Sequence, residues 1–108
     1  TGPGTNIYDA FIAPGLFGFL TGTSMSGPHV AGAGALVRAV RPTWRPMEVH
    51  SALMMTANRN QWQPDVLTPA TPDDVGTGMV DLRKAALAGF VFDESFANFL
   101  AANPATGG

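Results

Sequence analysis

Cysteine is absent from all 108 residues, which removes both a disulfide framework and a thiolate metal site and leaves the redox compartment open. Charge is scarce as well. Only 13% of the side chains are charged, the net charge is -2, and the six Lys and Arg are spread from Arg38 to Lys84. Phosphate binding needs clustered cations, so nucleic acid is excluded as an expected partner. From Ala10 to Val37 nothing carries a formal charge except what His29 can take up, a run too long for the surface of a small soluble protein. It predicts cover by other polypeptide. A long unbroken apolar run is missing too: Pro14, Pro28 and six Gly interrupt that stretch, so no membrane span is expected. Thr1-Gly2-Pro3-Gly4 has neither a basic region nor an apolar core, and no initiator Met precedes it, so the start reads as a processed or truncated end without a signal peptide.

What is present suits one domain's worth of chain, with 45% hydrophobic residues beside 13 Gly and nine Pro. Asn6 to Ala10 reads as a short strand after the Gly2-Pro3-Gly4 turn, and Leu16 to Leu20 as a second strand or hairpin arm. From Thr23 to Val40 the pattern turns to Ala, Gly, Leu and Val with no polar stripe, which predicts a helix buried on all sides. Thr23 or Ser24 would cap it, and Pro28 would be tolerated as falling within about its first turn. Gly27, Gly32 and Gly34 each cost about 1 kcal/mol of helix propensity relative to Ala, which close approach of neighbouring backbone would offset. The three glycines and the uncharged run together predict poor independent stability.

Beyond the Arg41-Pro42-Thr43-Trp44-Arg45-Pro46 turn, Val49, Leu53 and Ala57 repeat at helical spacing within an amphipathic helix over Met47 to Ala57. Asn58 to Val75 reads as a surface loop of 18 residues, long enough to suggest a variable or substrate-edge segment. Gly76-Thr77-Gly78-Met79-Val80-Asp81 is a turn into a helix from Asp81 to Ala88, capped by Asp81 and closed by Gly89. A last short helix begins near Asp93 and buries Phe96, Phe99 and Leu100; Asn103 to Gly108 is a linker or tail.

The stretch Leu20-Thr21-Gly22-Thr23-Ser24-Met25-Ser26-Gly27-Pro28-His29-Val30-Ala31-Gly32 places Ser24 at the mouth of the first helix. First-turn N–H groups have no intrahelical partner, so a serine there stands beside donors for a developing oxyanion, the arrangement acyl-transfer chemistry needs.

These residues resemble the subtilisin-like serine proteases, or subtilases. Gly22 to Gly32 is similar to the family's catalytic-serine signature. Gly2-Pro3-Gly4-Thr5-Asn6-Ile7 resembles the Ala-Pro-Gly-x-x-Ile segment upstream of it, with Gly2 where Ala is usual. Pro42-x-Trp44-x-Pro46 with Ser51-Ala52-Leu53-Met54-x-Thr56-Ala57 resembles the following helix of the branch holding plant subtilases and bacterial relatives. Gly76-x-Gly78-x-Val80-Asp81 resembles the final turn and helix. Ser26-Gly27 departs from the commonest signature by a small-for-small change.

The resemblance implies an α/β, three-layer subtilisin-like fold with a mainly parallel sheet, of which residues 1–102 supply the C-terminal portion. It implies a serine endopeptidase acting through an acyl-enzyme, with Ser24 as nucleophile and the Ser24 backbone N–H in the oxyanion hole. In the family the catalytic Asp and His and the oxyanion Asn precede the serine, so the upstream part of the same protease would supply them. Polypeptide substrates and secretion follow from the resemblance; no cofactor is expected in this chain, and a structural calcium belongs to the whole protein if anywhere.

A self-contained triad of Asp9, His29 and Ser24 is disfavoured, because His29 lies about 140° around the helix from Ser24 and about 7.5 Å along it. In the resembled family the equivalent histidine is structural, which implies for His29 the place of a buried, hydrogen-bonded core residue. Ser26 reads as a backbone-bonding or packing hydroxyl, Asp73-Asp74 as solvated carboxylates, His50 as an exposed helix position and Trp44 as a core anchor, while Trp62 is a candidate groove residue. Met25, next to the nucleophile, is the residue whose oxidation would enlarge and polarise the reacting site. The competing reading is a non-catalytic helical fragment or association module, inactive alone and prone to self-association through its uncovered surface.

Overall fold

The computed structural model of the chain describes residues 1–11 and 15–106. Pro14 and the last two residues of the tail lie outside them. Strands β1 (Ile7–Ala10) and β2 (Phe17–Leu20) form an antiparallel hairpin with Ile7 opposite Leu20 and Ala10 opposite Phe17. Tyr8 packs its ring against Phe19 and Phe17, with centroids 5.0 and 5.8 Å apart, on a face that stays exposed. This pair is not the mainly parallel sheet implied by the resemblance, since a short hairpin connection can join strands only in the antiparallel sense.

Helix α1 runs from Thr23 to Val40, as the pattern predicts. Its environment differs from the expectation of burial on all sides: Ala33 and Val37 are buried, whereas Leu36 and Val40 are 59% and 63% exposed. Among the described elements, the short helices α2 (Pro46–Met55) and α4 (Leu82–Ala86) make its main contacts, covering one face and leaving much of the rest open. The glycines are offset only in part. Gly34 lets α2 approach, with Val49 Cγ1 3.8 Å from where a Cβ would stand, while Gly27 and Gly32 face open space.

The core is the meeting of these three helices: Ala33 and Val37 from α1, Val49, Ala52 and Leu53 from α2, and Ala85 from α4. Their i, i+3 and i+4 spacing puts each set on one helical face. Trp44 packs against the edge of this cluster as the anchor expected of it, with the Arg41 guanidinium 5.3 Å from its ring centroid. Arg41 Nε also donates to the Ala86 carbonyl at 3.0 Å, fastening the turn to α4.

Local chemistry sets the remaining boundaries. Pro46 opens α2 with its φ already suited to a helix, and the Arg45 N–H donates to Glu48 Oε2 at 2.7 Å; the helix stops at Met55, short of Ala57, where the Thr56 hydroxyl donates to the Ala52 carbonyl. Asp81 caps α4 as predicted, accepting the Lys84 N–H at 3.0 Å, but α4 closes at Ala86 rather than Ala88. The segment read as one surface loop from Asn58 to Val75 is subdivided. Isolated bridges pair Asn58 with Met79 and Trp62 with Pro69, and α3 (Pro72–Val75) follows.

The last helix, α5 (Phe96–Ala101), is capped by the Ser95 hydroxyl, and a 3-10 turn spans Pro104–Thr106 inside the segment read as a linker or tail. Phe96, Phe99 and Leu100 are not buried as predicted; they are 80%, 54% and 48% exposed. Its N-terminal approach is fastened to α2, where the Phe92 N–H donates to Ser51 Oγ at 2.9 Å and Arg45 pairs with Asp93.

Candidate functional site around Ser24

The start of α1 is built by backbone meeting backbone at glycines. Gly22 N–H donates to the Gly4 carbonyl at 2.8 Å, and the Gly22 carbonyl accepts the Met25 and Ser26 N–H groups at 3.1 and 3.3 Å. A Cβ on Gly4 would lie 2.8 Å from the Gly22 carbonyl oxygen, so the segment before β1 reaches the helix mouth only with glycine there. Ser26 Oγ donates to the Gly2 carbonyl at 2.7 Å and accepts the Gly2 N–H at 3.1 Å. The Asn6 N–H donates to Thr21 Oγ1 at 2.9 Å, and the Thr1 backbone bonds Gly78 and Val80. Residues 1–6 are therefore laced across the helix start.

Ser24 is the second residue of α1 and is exposed. Its hydroxyl makes no hydrogen bond among the described residues, and its backbone N–H donates to no backbone carbonyl there. Neither Thr23 nor Ser24 caps the helix. The capping position is Gly22, which has no side chain to claim the Ser24 N–H, while its carbonyl takes the Met25 and Ser26 N–H groups. A shallow cleft of about 250 Å³ lies beside the site, lined by Thr1, Gly2, Gly4, Thr21, Gly22 and Ser26 among others.

Pro28 falls in the sixth position of α1, beyond the first turn in which it was expected. Having no N–H, it cannot serve the carbonyl four residues back, which is that of Ser24. His29 is hydrogen-bonded as expected but exposed rather than buried, because none of the described residues covers it. Its Nδ1 lies 2.7 Å from the Met25 carbonyl. A carbonyl only accepts, so Nδ1 carries the proton and is spent on the helix. Asp9 accepts the neighbouring Ala10 N–H through Oδ1. No hydrogen bond joins Ser24, His29 and Asp9 among the described residues.

Other predicted residues take the expected places. Ser26 bonds backbone, His50 is exposed on α2, Trp62 is 52% exposed, and Met25 is half-buried beside Ser24. Asp74 is solvated but not idle: it accepts the Thr71 N–H, the Thr71 hydroxyl and Gln63 Nε2, and the Thr71 bonds hold its carboxyl below the usual range. The described residues contain no group of three or more His, Cys, Asp or Glu arranged to hold a metal, and no helix long and apolar enough to cross a membrane.

Two positioning elements escaped the sequence reading: the two-way bond between Ser26 and Gly2, and the Gly4–Gly22 contact. Ser26 reads from sequence as a backbone-bonding or packing hydroxyl but without a partner, and the paired glycines at 2 and 4 read equally well as a turn. Glycine in place of the family's usual Ala at position 2 has a physical reason here, since a Cβ would lie 2.8 Å from Val30 Cγ2.

A helix mouth bearing an exposed serine with unspent donors, reached by a glycine-rich segment, matches known proteins. Residues 3–85 match the subtilase family, and the chain belongs to it. The chain is 42% identical over 87 residues to the subtilisin-like protease SBT1.9 of Arabidopsis thaliana, covering 78% of this chain and 11% of the relative. It is 41% identical over 95 residues to SBT1.7 of the same plant, covering 80% and 12%. Among solved structures it superposes on fervidolysin from Fervidobacterium pennivorans with a TM-score of 0.62 at 24% identity, over 80% of this chain and 14% of that one. On MycP1 the TM-score is 0.54 at 26% identity, over 85% and 29%. The fold is thus subtilisin-like α/β, and the chain spans about a ninth of the length of the plant relatives.

Proposed function

We propose that Ser24 is the nucleophile of a serine endopeptidase and that its backbone N–H donates into the oxyanion hole. The observation that carries this is an exposed serine in the first turn of α1, its hydroxyl and its N–H both free of partners among the described residues. The Ser24 hydroxyl passes its proton to a histidine as its oxygen attacks a peptide carbonyl. The protonated histidine then gives that proton to the leaving amine, and water hydrolyses the acyl-enzyme. The histidine, the aspartate that orients it and the oxyanion asparagine come from the upstream part of the same protease, a reading supported by the absence of any hydrogen bond from Ser24 to His29 or His50 among the described residues. That part also contributes the mainly parallel sheet and covers the exposed flank of α1. Substrates are polypeptides, the site of action is extracellular, and residues 1–102 act as the C-terminal portion of the catalytic domain.

A second reading, an inactive helical module, is favoured for the 108 residues alone by the missing contact between Ser24 and either histidine. Fluorophosphonate labelling separates the two. The protein as its gene encodes it labels at Ser24 and loses both label and peptide hydrolysis in Ser24→Ala, while the isolated 108 residues do not label. Rapid labelling and hydrolysis by the isolated chain would show that its partners are not missing.

A further inference from the structure

A cavity of about 370 Å³ is lined by Arg59, Ala70, Pro72, Val75, Gly76, Thr77 and Gly78, none of which lines the cleft beside Ser24. Its position is fixed by the bridge between Asn58 and Met79 and by a close approach at Gly78, whose φ is 118° and whose Cβ, if present, would lie 2.7 Å from the Asn58 carbonyl carbon. Two walls are apolar, from Ala70, Pro72 and Val75. Arg59 is the one charged residue in the lining, and its side chain makes no hydrogen bond or ion pair among the described residues.

Of the carboxylates nearest in sequence, Asp73 forms no ion pair with Arg59, and Asp65 and Asp74 are committed elsewhere. Asp74 takes three donors from Thr71 and Gln63, and Asp65 takes the Leu67 and Thr68 N–H groups and the Thr68 hydroxyl. Around the cavity, Gly76 and Gly78 N–H are used by the Pro72 and Val75 carbonyls, whereas the Thr77 N–H and hydroxyl have no partner among the described residues. A fixed cavity thus presents an uncompensated guanidinium, two unspent donors at Thr77 and an apolar wall. A guanidinium fork suits a carboxylate, and an apolar wall suits an aliphatic body attached to it.

We propose that this cavity binds a small carboxylate with an apolar side chain, in the form of a peptide's C-terminal residue, with the carboxylate on Arg59 and Thr77 and the side chain against Ala70, Pro72 and Val75. The site is separate from Ser24 and does not depend on the proposed hydrolysis.

Titration of the protein as its gene encodes it with N-acetyl-leucine, followed by calorimetry or by amide shifts of residues 70–78, tests this, with N-acetyl-leucinamide as the neutral control. Saturable binding of the acid is expected, with the amide about tenfold weaker or worse for loss of a charge-assisted bond. Arg59→Gln reduces the acid to the level of the amide, Arg59→Lys restores part of the difference, Ala70→Trp fills the cavity and abolishes binding, and Ser24→Ala leaves it intact. Equal binding of acid and amide, or no saturable binding of the acid, would overturn the proposal even if a variant failed to fold. Unchanged affinity in a folded Arg59→Gln protein would do the same.

Discussion

Ser26 holds Gly2 by both ends of its backbone, donating to its carbonyl and accepting from its N–H through a single oxygen. The bond spans 24 residues of sequence and fixes the leading segment against the helix that carries Ser24. Replacing that hydroxyl leaves two partly buried backbone groups without it. Ser26→Ala is expected to cost about 1–3 kcal/mol and to raise hydrogen exchange at the Gly2 amide. Unchanged exchange at Gly2 would mean that the clasp is not formed in solution.

Gly78 is the second fixed point. Its positive φ and the nearness of the Asn58 carbonyl leave no room for a methyl group. Gly78→Ala should destabilise the protein by about 2 kcal/mol or more, combining backbone strain with overpacking, and should be measured by urea unfolding. A loss under about 0.5 kcal/mol would refute the tight approach.

Met25 sits half-buried immediately after the proposed nucleophile. Peroxide converts its thioether to a bulkier, polar sulfoxide. Peptide hydrolysis by the full protein should fall on oxidation, and Met25→Leu should resist the loss. Oxidised enzyme, verified by mass, with unchanged turnover would contradict this.

Acid sensitivity follows from four carboxylates whose pKa values lie below the usual range. Bonds from the Thr68 hydroxyl act on Asp65, the Thr71 backbone on Asp74, the Lys84 backbone on Asp81 and the Ser95 backbone on Glu94. Each is lower in the folded chain than in the unfolded one, so the unfolded chain binds more protons in that interval and stability rises with pH. The contribution is present above about pH 4–5 and is lost as pH falls through the folded values. The thermal midpoint should be flat from pH 6 to 5 and drop below pH 4, with a smaller drop in Asp65→Asn and Asp81→Asn. Equal slopes in wild type and variants would exclude these groups.

The isolated chain should be poorly stable. Leu36, Val40, Phe17, Phe19 and Phe96 each expose more than half their surface. Exposed apolar side chains in such number favour association, so light scattering at micromolar concentration should report oligomers. A monomer with one cooperative thermal transition would contradict this.

Much of this fold was legible because its signals are local. Helix α1 matched its predicted limits, the Asp81 cap depended on one residue, and Trp44 lay where its flanking prolines suggested. The errors share a physical source. The burial of α1 and of Phe96, Phe99 and Leu100 was inferred from apolarity and that of His29 from the family resemblance, but burial needs a partner surface, and among the described helices α1 packs mainly on α2 and α4. The cap was misassigned because Thr23 and Ser24 are good capping residues by type, while Gly22 takes that place by making room for Gly4. Around Ser24, position came from the motif; the clasp from Gly2 depends on contacts 24 residues apart and left no periodic trace.

The segment after α4 lies past residue 85, where the match to the family ends, yet it reaches back to α2 through Phe92 on Ser51 and Asp93 on Arg45. A version of the protein trimmed at residue 85 would leave Ser51 and the mouth of α2 stripped of their clamps, and a border for grafting or domain exchange belongs beyond Ala101.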